Sequence, residues 1–200
     1  MTHPLELRMT MAARRKNRMP KEFVIFTGPM WSGKTTRLTA AVERHRIRQS
    51  SVLCFKPTID GRYADSSIVT HSGSSMAAIA VSNGEQMLHI IQSERPEVVA
   101  VDEAFMIDGA ADALIEVFRS GISVYVSSIE LSANLKSFGE VERMMPFATR
   151  VEKCTAVCVT CGDDAALTHR RVPSLEEISV GGADTYEPMC WSCHPLAVAK

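Results

Sequence analysis

The sequence has no long apolar run, almost no net charge and few aromatic residues, and each of these absences argues against a class of protein. No stretch of about 18 or more consecutive apolar residues occurs, so the chain is not predicted to span a bilayer. Its first residues lack the apolar segment of a secretory signal, which leads us to expect a cytoplasmic protein. A formal net charge of -1 and an aromatic share of 6% provide no general attraction for nucleic acid.

The chain does contain enough apolar residues to bury a core. Its 200 residues are 46% hydrophobic and 22% charged, which suits one domain with a small appendage and argues against disorder over most of the length. Basic residues are concentrated in residues 1–20, and we predict that this segment is a disordered extension. A phosphate-binding arm is the alternative interpretation of the same residues.

Short β-rich runs alternate with segments of helical periodicity from residue 23 to about residue 157. This alternation is typical of an α/β fold with a parallel sheet. Residues 58–75 are polar and rich in turn-forming residues, so we predict a mobile loop there, with room for one strand. The predicted strands cover residues 23–26, 51–55, 97–101 and 122–127, and the predicted helices cover 34–48, 83–93 and 108–120.

The first predicted strand is followed directly by a glycine-rich loop, Gly28-x4-Gly33-Lys34-Thr35. The glycines of such a loop allow backbone N–H groups to converge on the phosphates of a nucleotide, and the next helix adds the positive end of its dipole. The strand before it and the helix after it favour this interpretation over a plain glycine-rich turn. Lys34 would neutralise phosphate charge, and the Thr35 hydroxyl would bind Mg2+. The candidate ATP- and Mg2+-binding residues here are Gly28, Ser32, Gly33, Lys34, Thr35 and Thr36.

A second part of the same site is predicted at the end of the third strand, where the apolar run 98–101 is followed by Asp102 and Glu103. In P-loop proteins an acid at this position holds the metal ion, which makes Asp102 the candidate metal-side carboxylate. Glu103 would then accept a proton from an attacking hydroxyl or water and is the candidate catalytic base. A strand that ends in two solvated acids is the alternative.

Four of the six cysteines form two Cys-x-x-Cys pairs separated by 28 residues. This spacing is typical of a zinc ribbon, in which four thiolates surround one ion and leave no position open for catalysis. Disulfides are the alternative, and His169 or His194 could replace one ligand. Cys54 and Cys154 are predicted to be buried thiols. The predicted ligands of a structural Zn2+ are Cys158, Cys161, Cys190 and Cys193.

In order and spacing, these motifs resemble the zinc-containing, type II thymidine kinases. The resemblance runs from about Glu22 to His194 and rests on GPMWSGKTTRL, FKPTIDGRY, THSG, VDEA, TAVCVTC and VGGADTYEPMCWSCH. The last motif is the most specific, because a general P-loop ATPase has no reason to carry it before a cysteine pair. The resemblance implies transfer of the γ-phosphate of ATP to the 5'-hydroxyl of thymidine or a related pyrimidine deoxynucleoside. It also implies a homotetramer and feedback inhibition by the triphosphate end product.

The resemblance further implies roles for individual segments. Asp60 and Arg62 match loop residues near the phosphates. Residues 180–186 match a lasso that reads the base through backbone groups, with Tyr186 against the base or sugar. Because zinc would anchor both ends of the lasso, we expect chelation to loosen the substrate site without affecting the P-loop.

The sequence departs from the family pattern on the acceptor side. After the acid pair the family usually reads Gln-Phe-Phe, whereas this chain reads Phe105-Met106-Ile107, and Ala133 replaces an aromatic residue that packs on the base. One hypothesis is a bulkier or modified pyrimidine substrate, and the alternative is local repacking in which Phe105 fills the space. The candidate nucleoside-binding residues are Met30, Phe105, Met106, Phe138, Val180, Gly181, Gly182, Ala183, Asp184 and Tyr186. As apolar residues, Met30 and Phe138 could equally be core.

The predicted fold class is α/β, with a P-loop (RecA-like) parallel-sheet kinase domain over residues 21–157 and a small C-terminal zinc-ribbon and lasso domain over residues 158–200. A RecA-like zinc-ribbon ATPase that acts on nucleic acid is the alternative function, although the near-neutral charge makes nucleic acid an unexpected partner. A zinc-stabilised subunit that binds nucleotide without catalysing a reaction is another alternative. A nucleoside monophosphate kinase usually carries an arginine-rich lid, and residues 58–75 offer only Arg62.

Overall fold

The computed structural model of the chain describes residues 21–58, 67–69, 75–172 and 181–198. The predicted extension, residues 1–20, lies outside these ranges, as does most of the predicted loop 58–75. Within the described part of the chain, no helix is both long and apolar enough to cross a bilayer.

The described strands and helices are numbered along the chain. The strands are β1 (Phe23–Thr27), β2 (Val52–Pro57), β3 (Ser67–Val69), β4 (Ser75–Ala77), β5 (Ile79–Val81), β6 (Val98–Asp102), β7 (Ser123–Ser128), β8 (Arg150–Lys153), β9 (Ala156–Val157), β10 (Asp164–Ala165), β11 (Leu167–Arg170) and β12 (Tyr186–Met189). The helices are α1 (Lys34–Ile47), α2 (Gly84–Glu94), α3 (Ala110–Arg119), α4 (Gly139–Met144) and α5 (Pro195–Val198), with 3-10 turns at Ala104–Met106 and Met145–Phe147.

Six of these strands form one parallel sheet in the order β5-β2-β6-β7-β1-β8. The P-loop follows β1, and the acid pair lies at the carboxyl end of β6, where Asp102 is the last residue of the strand; β7 lies between these two strands. The carboxyl ends of parallel strands meet at the same edge, which is where open α/β sheets bind ligands. The predicted parallel α/β fold is therefore confirmed, and it brings the two predicted motifs to one edge.

Helices cover both faces of the sheet. Leu38 and Val42 of α1 pack on one face, in a buried cluster that includes Phe26 and Tyr125. On the other face, a larger cluster contains Leu114 and side chains of α2, α3 and α4. Each fully buried aliphatic or aromatic side chain stabilises the fold by about 1.5–3 kcal/mol. The α1 face matters most for the site because α1 begins directly at the P-loop.

Short antiparallel pairs replace the parallel pattern after β8. Strand β9 pairs with β10, and β11 pairs with β12. Ala156, Ala165, Cys158 and Cys190 form a small buried cluster of their own. This region carries both cysteine pairs, and its assignment as a separate domain remains a prediction.

The sequence patterns did not predict β5, β8 or α4. Strand β8 reads Arg150-Val151-Glu152-Lys153 and is mostly exposed, because it is an edge strand that pairs only with β1 in the main sheet. It therefore lacks the apolar run by which the buried strands were predicted. The second strand also runs on to Pro57, two residues beyond its predicted end.

Candidate nucleotide and metal sites

The P-loop occupies the connection between β1 and α1. Gly28 has φ 139°, and a Cβ atom there would lie 2.2 Å from the Cys154 carbonyl oxygen. Gly33 has φ 78°, in the left-handed region, and precedes the first turn of α1, which contains no acidic residue. The unpaired N–H groups at the start of a helix attract anions. The backbone is thus shaped as the sequence pattern predicts for a phosphate-binding loop.

The Lys34 ammonium folds back onto this loop. Its Nζ donates to the Pro29 carbonyl at 2.6 Å, and the Ser32 hydroxyl donates to the same oxygen at 2.8 Å. Burial lowers the pKa of Lys34, while the charges of Glu103 and then Asp102 oppose that shift. A buried ammonium gains from further negative charge, so a phosphate beside Lys34 would be favourable. Thr36, also a predicted ligand, is exposed on the first turn of α1.

The two acids lie at the carboxyl end of β6, beside α1. Asp102 is 8% exposed, and the Thr35 hydroxyl lies 3.2 Å from its Oδ1 and 3.3 Å from its Oδ2. Glu103 has φ 51° and ψ 45°. A positive φ is uncommon for a residue other than glycine, and such backbone strain is often found at functional sites. The structure therefore brings together Lys34, Thr35, Asp102 and Glu103, as the sequence predicted.

A third carboxylate near the P-loop was not predicted. Glu130 follows β7 and accepts a hydrogen bond from the Thr27 hydroxyl at 2.8 Å through Oε2. Its Oε1 lies 3.0 Å from Lys153 Nζ. These contacts join the carboxyl ends of β1 and β8. The sequence signal was available, because Glu130 follows a buried strand just as the acid pair follows β6.

The four predicted zinc ligands converge. Their Sγ atoms all lie within 4.8 Å of one another, and those of Cys161 and Cys190 are 3.6 Å apart. A tetrahedral zinc site with Zn–S bonds of about 2.3 Å requires sulfur atoms about 3.8 Å apart, so the cluster fits this ion. Backbone N–H donors, above all that of Cys190, lower the pKa of Cys158, which favours the thiolate.

The alternatives for the cysteines are not observed. All six cysteines are free thiols, and Cys54 and Cys154 are buried as predicted. Within the described chain, the cluster of metal-binding groups contains cysteines alone. The rings of His169 and His194 instead pack edge to face with their centroids 5.2 Å apart.

One hydrogen bond joins the cysteine-rich region to the P-loop. The Met30 backbone N–H donates to the Thr168 hydroxyl at 3.1 Å. Thr168 is 5% exposed and belongs to β11, between the two cysteine pairs. Sequence reasoning missed Thr168, since a lone threonine in a short strand carries no signal. The contact links β11 to Met30, and we therefore expect chelation to affect the P-loop as well, in contrast to the expectation from the sequence alone.

Three of the residues predicted to contact the base, Phe105, Met106 and Phe138, pack against each other or against the main core. The rings of Phe105 and Phe138 have centroids 4.5 Å apart, and Phe105 is 8% exposed. The Phe105 N–H donates to the Ser128 hydroxyl at 3.1 Å. Met106 and Phe138 pack against the main core while remaining partly exposed. Ala133 is 9% exposed.

The described part of the predicted lasso is a tight turn before β12. The Gly182 carbonyl accepts hydrogen bonds from the N–H groups of Thr185 and Tyr186, and the Gly182 N–H donates to Asp184 Oδ1 at 3.2 Å. Arg170 donates to the Tyr186 hydroxyl at 3.1 Å, with its guanidinium 5.4 Å from the ring centroid. Gly181 precedes this turn, and the exposed Ala183 lies within it.

Three predicted site residues cannot be placed against this geometry. Asp60, Arg62 and Val180 lie outside the described residues.

Comparisons with known proteins agree with the motifs. The family model for thymidine kinase matches residues 22–194. A thymidine kinase of Bacteroides thetaiotaomicron is 31% identical over 182 residues, which cover 90% of this chain and 88% of that protein. The structure of the ATPase DotB of Legionella pneumophila is similar with a TM-score of 0.41 and 18% identity, over 73% of this chain and 40% of that one. The match of the family model and the identity to the Bacteroides protein establish that this chain is an ATP-dependent kinase and belongs to the thymidine kinase family.

Proposed function

We propose that the chain transfers the γ-phosphate of ATP to the 5'-hydroxyl of thymidine or a closely related pyrimidine deoxynucleoside. The observation that carries the proposal is the arrangement at the sheet edge. A phosphate-binding loop, a buried lysine and two consecutive acids meet there, and the loop is hydrogen-bonded to the cysteine-rich region through Met30 and Thr168. A kinase needs its donor and acceptor groups side by side, and this edge can hold both.

Phosphoryl transfer depends chiefly on positioning and charge neutralisation. The loop N–H groups and Lys34 would hold the phosphates. Thr35 and Asp102 are the residues suited to hold Mg2+, which would supply positive charge against the negative charge of the phosphates. Glu103 would orient the nucleoside 5'-hydroxyl and accept its proton as the oxygen attacks the γ-phosphorus, while the bond from that phosphorus to the β,γ-bridging oxygen breaks and ADP leaves. We propose that Asp60 and Arg62 also act close to the phosphates of ATP.

We propose that the cysteine cluster holds a structural Zn2+ that keeps the acceptor side in place. With four thiolate ligands the ion would have no open position, so its contribution is to the fold. The turn over residues 181–186 begins after one cysteine pair and ends shortly before the other, so the ion would fix both of its flanks. We further propose a homotetramer in the cytoplasm, with the kinase domain over 21–157 and the zinc-ribbon domain over 158–200.

Two hypotheses for the acceptor differ in what fills the space left where Ala133 replaces an aromatic residue. The close contact of the Phe105 and Phe138 rings favours repacking of a thymidine pocket over a larger pocket. Ala133→Phe separates the two hypotheses. Under repacking, the variant keeps the native order of preference among nucleosides. If instead the native protein prefers a 5-substituted deoxyuridine larger than thymidine and Ala133→Phe prefers thymidine, Ala133 is a specificity determinant.

The proposal is tested by following the phosphate. Incubation with ATP labelled at the γ-phosphate, Mg2+ and thymidine should place the label in a nucleoside 5'-monophosphate, and Lys34→Ala should strongly reduce that product. Label that appears only in inorganic phosphate, with or without thymidine, would contradict nucleoside phosphorylation and favour an ATPase.

A further inference from the structure

Ser127 lies in the middle of the nucleotide site and has no assigned role. It is the fifth residue of β7, the strand between the P-loop strand β1 and the acid-pair strand β6. Its register partners are Phe26 on one side and Asp102 on the other. Adjacent strands in a sheet are about 4.8 Å apart, so Ser127 is an immediate neighbour of the candidate metal-side acid.

The side chain of Ser127 points to the face that carries α1. Side chains alternate along a strand, and Tyr125 packs in the same cluster as Leu38 and Val42 of α1. Ser127 is two residues further on and therefore faces the same side, at the carboxyl end. The Asp102 side chain points to this side too, because it accepts a hydrogen bond from the hydroxyl of Thr35 in the first turn of α1.

The Ser127 hydroxyl is buried without a partner. The residue is 0% exposed, and its Oγ has no hydrogen-bond partner among the described residues. The neighbouring hydroxyls differ: that of Ser128 accepts from the Phe105 N–H, and that of Thr35 is bonded to Asp102. A buried hydroxyl without a partner destabilises a fold, and such groups in native proteins commonly have a functional explanation. An alanine would fill this position at lower cost if packing were its only purpose.

We propose that Ser127 is a positioning residue of the nucleotide site and acquires its hydrogen-bond partner only in the Mg2+-nucleotide complex. This inference rests on the proposed nucleotide site. The Asp102 carboxylate and the Ser127 oxygen are adjacent acceptors on one face of the sheet, and the water ligands of a divalent cation are hydrogen-bond donors. Ser127 would accept from such a water and thereby share with Asp102 the orientation of the hydrated ion. Outer-shell groups of this kind commonly change metal affinity by about 10–100-fold.

The test compares Ser127→Ala with Ser123→Ala in the full chain. Ser123 lies on the same strand and the same face but at the opposite end, where its hydroxyl accepts from the Glu22 N–H at 3.4 Å. Thermal unfolding is measured without ligand, with a non-hydrolysable ATP analogue in EDTA, and with the analogue and Mg2+. The Mg2+ concentration for half-maximal activity is measured in parallel.

We expect Ser127→Ala to be as stable as the native protein, or more stable, without ligand, because it removes an unpaired buried hydroxyl. It should lose part of the stabilisation by Mg2+-nucleotide, retain that by nucleotide in EDTA, and require about tenfold more Mg2+ for half-maximal activity. Ser123→Ala should keep the native response to both ligands.

Three outcomes would overturn the inference. A native response of Ser127→Ala to Mg2+-nucleotide would mean that the hydroxyl takes no part in the complex. A large loss of stability without ligand would mean that it is structural, and an equal loss with and without Mg2+ would assign it to a phosphate oxygen instead of a water. Failure of the proposed function is distinguishable from all three. Without a nucleotide site the native protein would show no stabilisation by nucleotide, and as an ATPase it would release ADP without a nucleoside acceptor.

Discussion

Two glycines of the P-loop should differ sharply in how they tolerate an added methyl group. Gly28 and Gly33 both have positive φ, so alanine is strained at either position, by about 1–2 kcal/mol for the left-handed region. At Gly33 nothing lies within 4 Å of the added Cβ, whereas at Gly28 the Cys154 carbonyl oxygen would be 2.2 Å away. The Cys154 backbone cannot move away freely, because its N–H donates to the Thr27 carbonyl oxygen at 2.7 Å. Overpacking of this kind costs about 1–3 kcal/mol more.

Gly33→Ala should therefore lower the free energy of unfolding by about 1–2 kcal/mol, and Gly28→Ala by about 2–5 kcal/mol. In a chain of this size each kcal/mol corresponds to about 2–4 °C in Tm. Urea unfolding followed by circular dichroism gives both free energies, and Gly121→Ala, with φ 92° and open space, provides a second control for strain alone. Equal losses for Gly28→Ala and Gly33→Ala would refute the close approach of Cys154 to the loop.

Three further perturbations test the site and the fold. Glu103→Gln should reduce kcat by about 10²–10⁴-fold while ATP affinity, measured by calorimetry, stays close to native, and a full rate would contradict its role as base. Thr168→Val leaves the Met30 N–H without its acceptor, which costs about 1–3 kcal/mol for a buried group, and should raise the KM for ATP. Zinc chelation should raise this KM less in the variant than in the native protein, because the hydrogen bond that links the two regions is already absent. An unchanged KM in the variant would mean that the Met30–Thr168 hydrogen bond does not hold the P-loop. Burial, and next the positive charge of Arg48, lowers the pKa of His45, so the folded state favours the neutral imidazole. The contribution of neutral His45 to the stability of the fold is complete above the unfolded pKa of about 6.5 and is lost as the pH falls through the folded pKa. His45→Gln should accordingly reduce the drop in Tm between about pH 7 and pH 5, and an unchanged drop would assign that drop to other groups.

The sequence was most informative where a chemical requirement fixes residue types at fixed spacing. A phosphate-binding loop needs its glycines and lysine in order, and Gly28, Gly33 and Lys34 adopt the expected arrangement because β1 and α1 hold both ends of the loop. Four thiolates around one ion likewise need two closely spaced pairs, and the cysteines converge accordingly. The buried strands β1, β2, β6 and β7 could be predicted because each contains a run of mostly apolar side chains.

Contacts between segments that are distant along the chain could not be predicted. Thr168 and Met30 are 138 residues apart, and Glu130 and Thr27 are 103 residues apart. Each contact depends on how strands are ordered in space, and a single polar residue gives no sign of its partner. The edge strand β8 was missed for a related reason. It pairs with a neighbour on one side only, so its side chains are mostly exposed and can be polar.

If this chain phosphorylates a pyrimidine deoxynucleoside, its release of ADP from ATP must depend on the nucleoside supplied. Purified protein with ATP and Mg2+ would be assayed with thymidine, deoxyuridine, 5-hydroxymethyl-deoxyuridine, deoxycytidine and the purine deoxynucleosides, against a control without acceptor. We expect ADP release that requires a thymidine-like nucleoside and is lost in Glu103→Gln. ADP release that is the same without any nucleoside would contradict it.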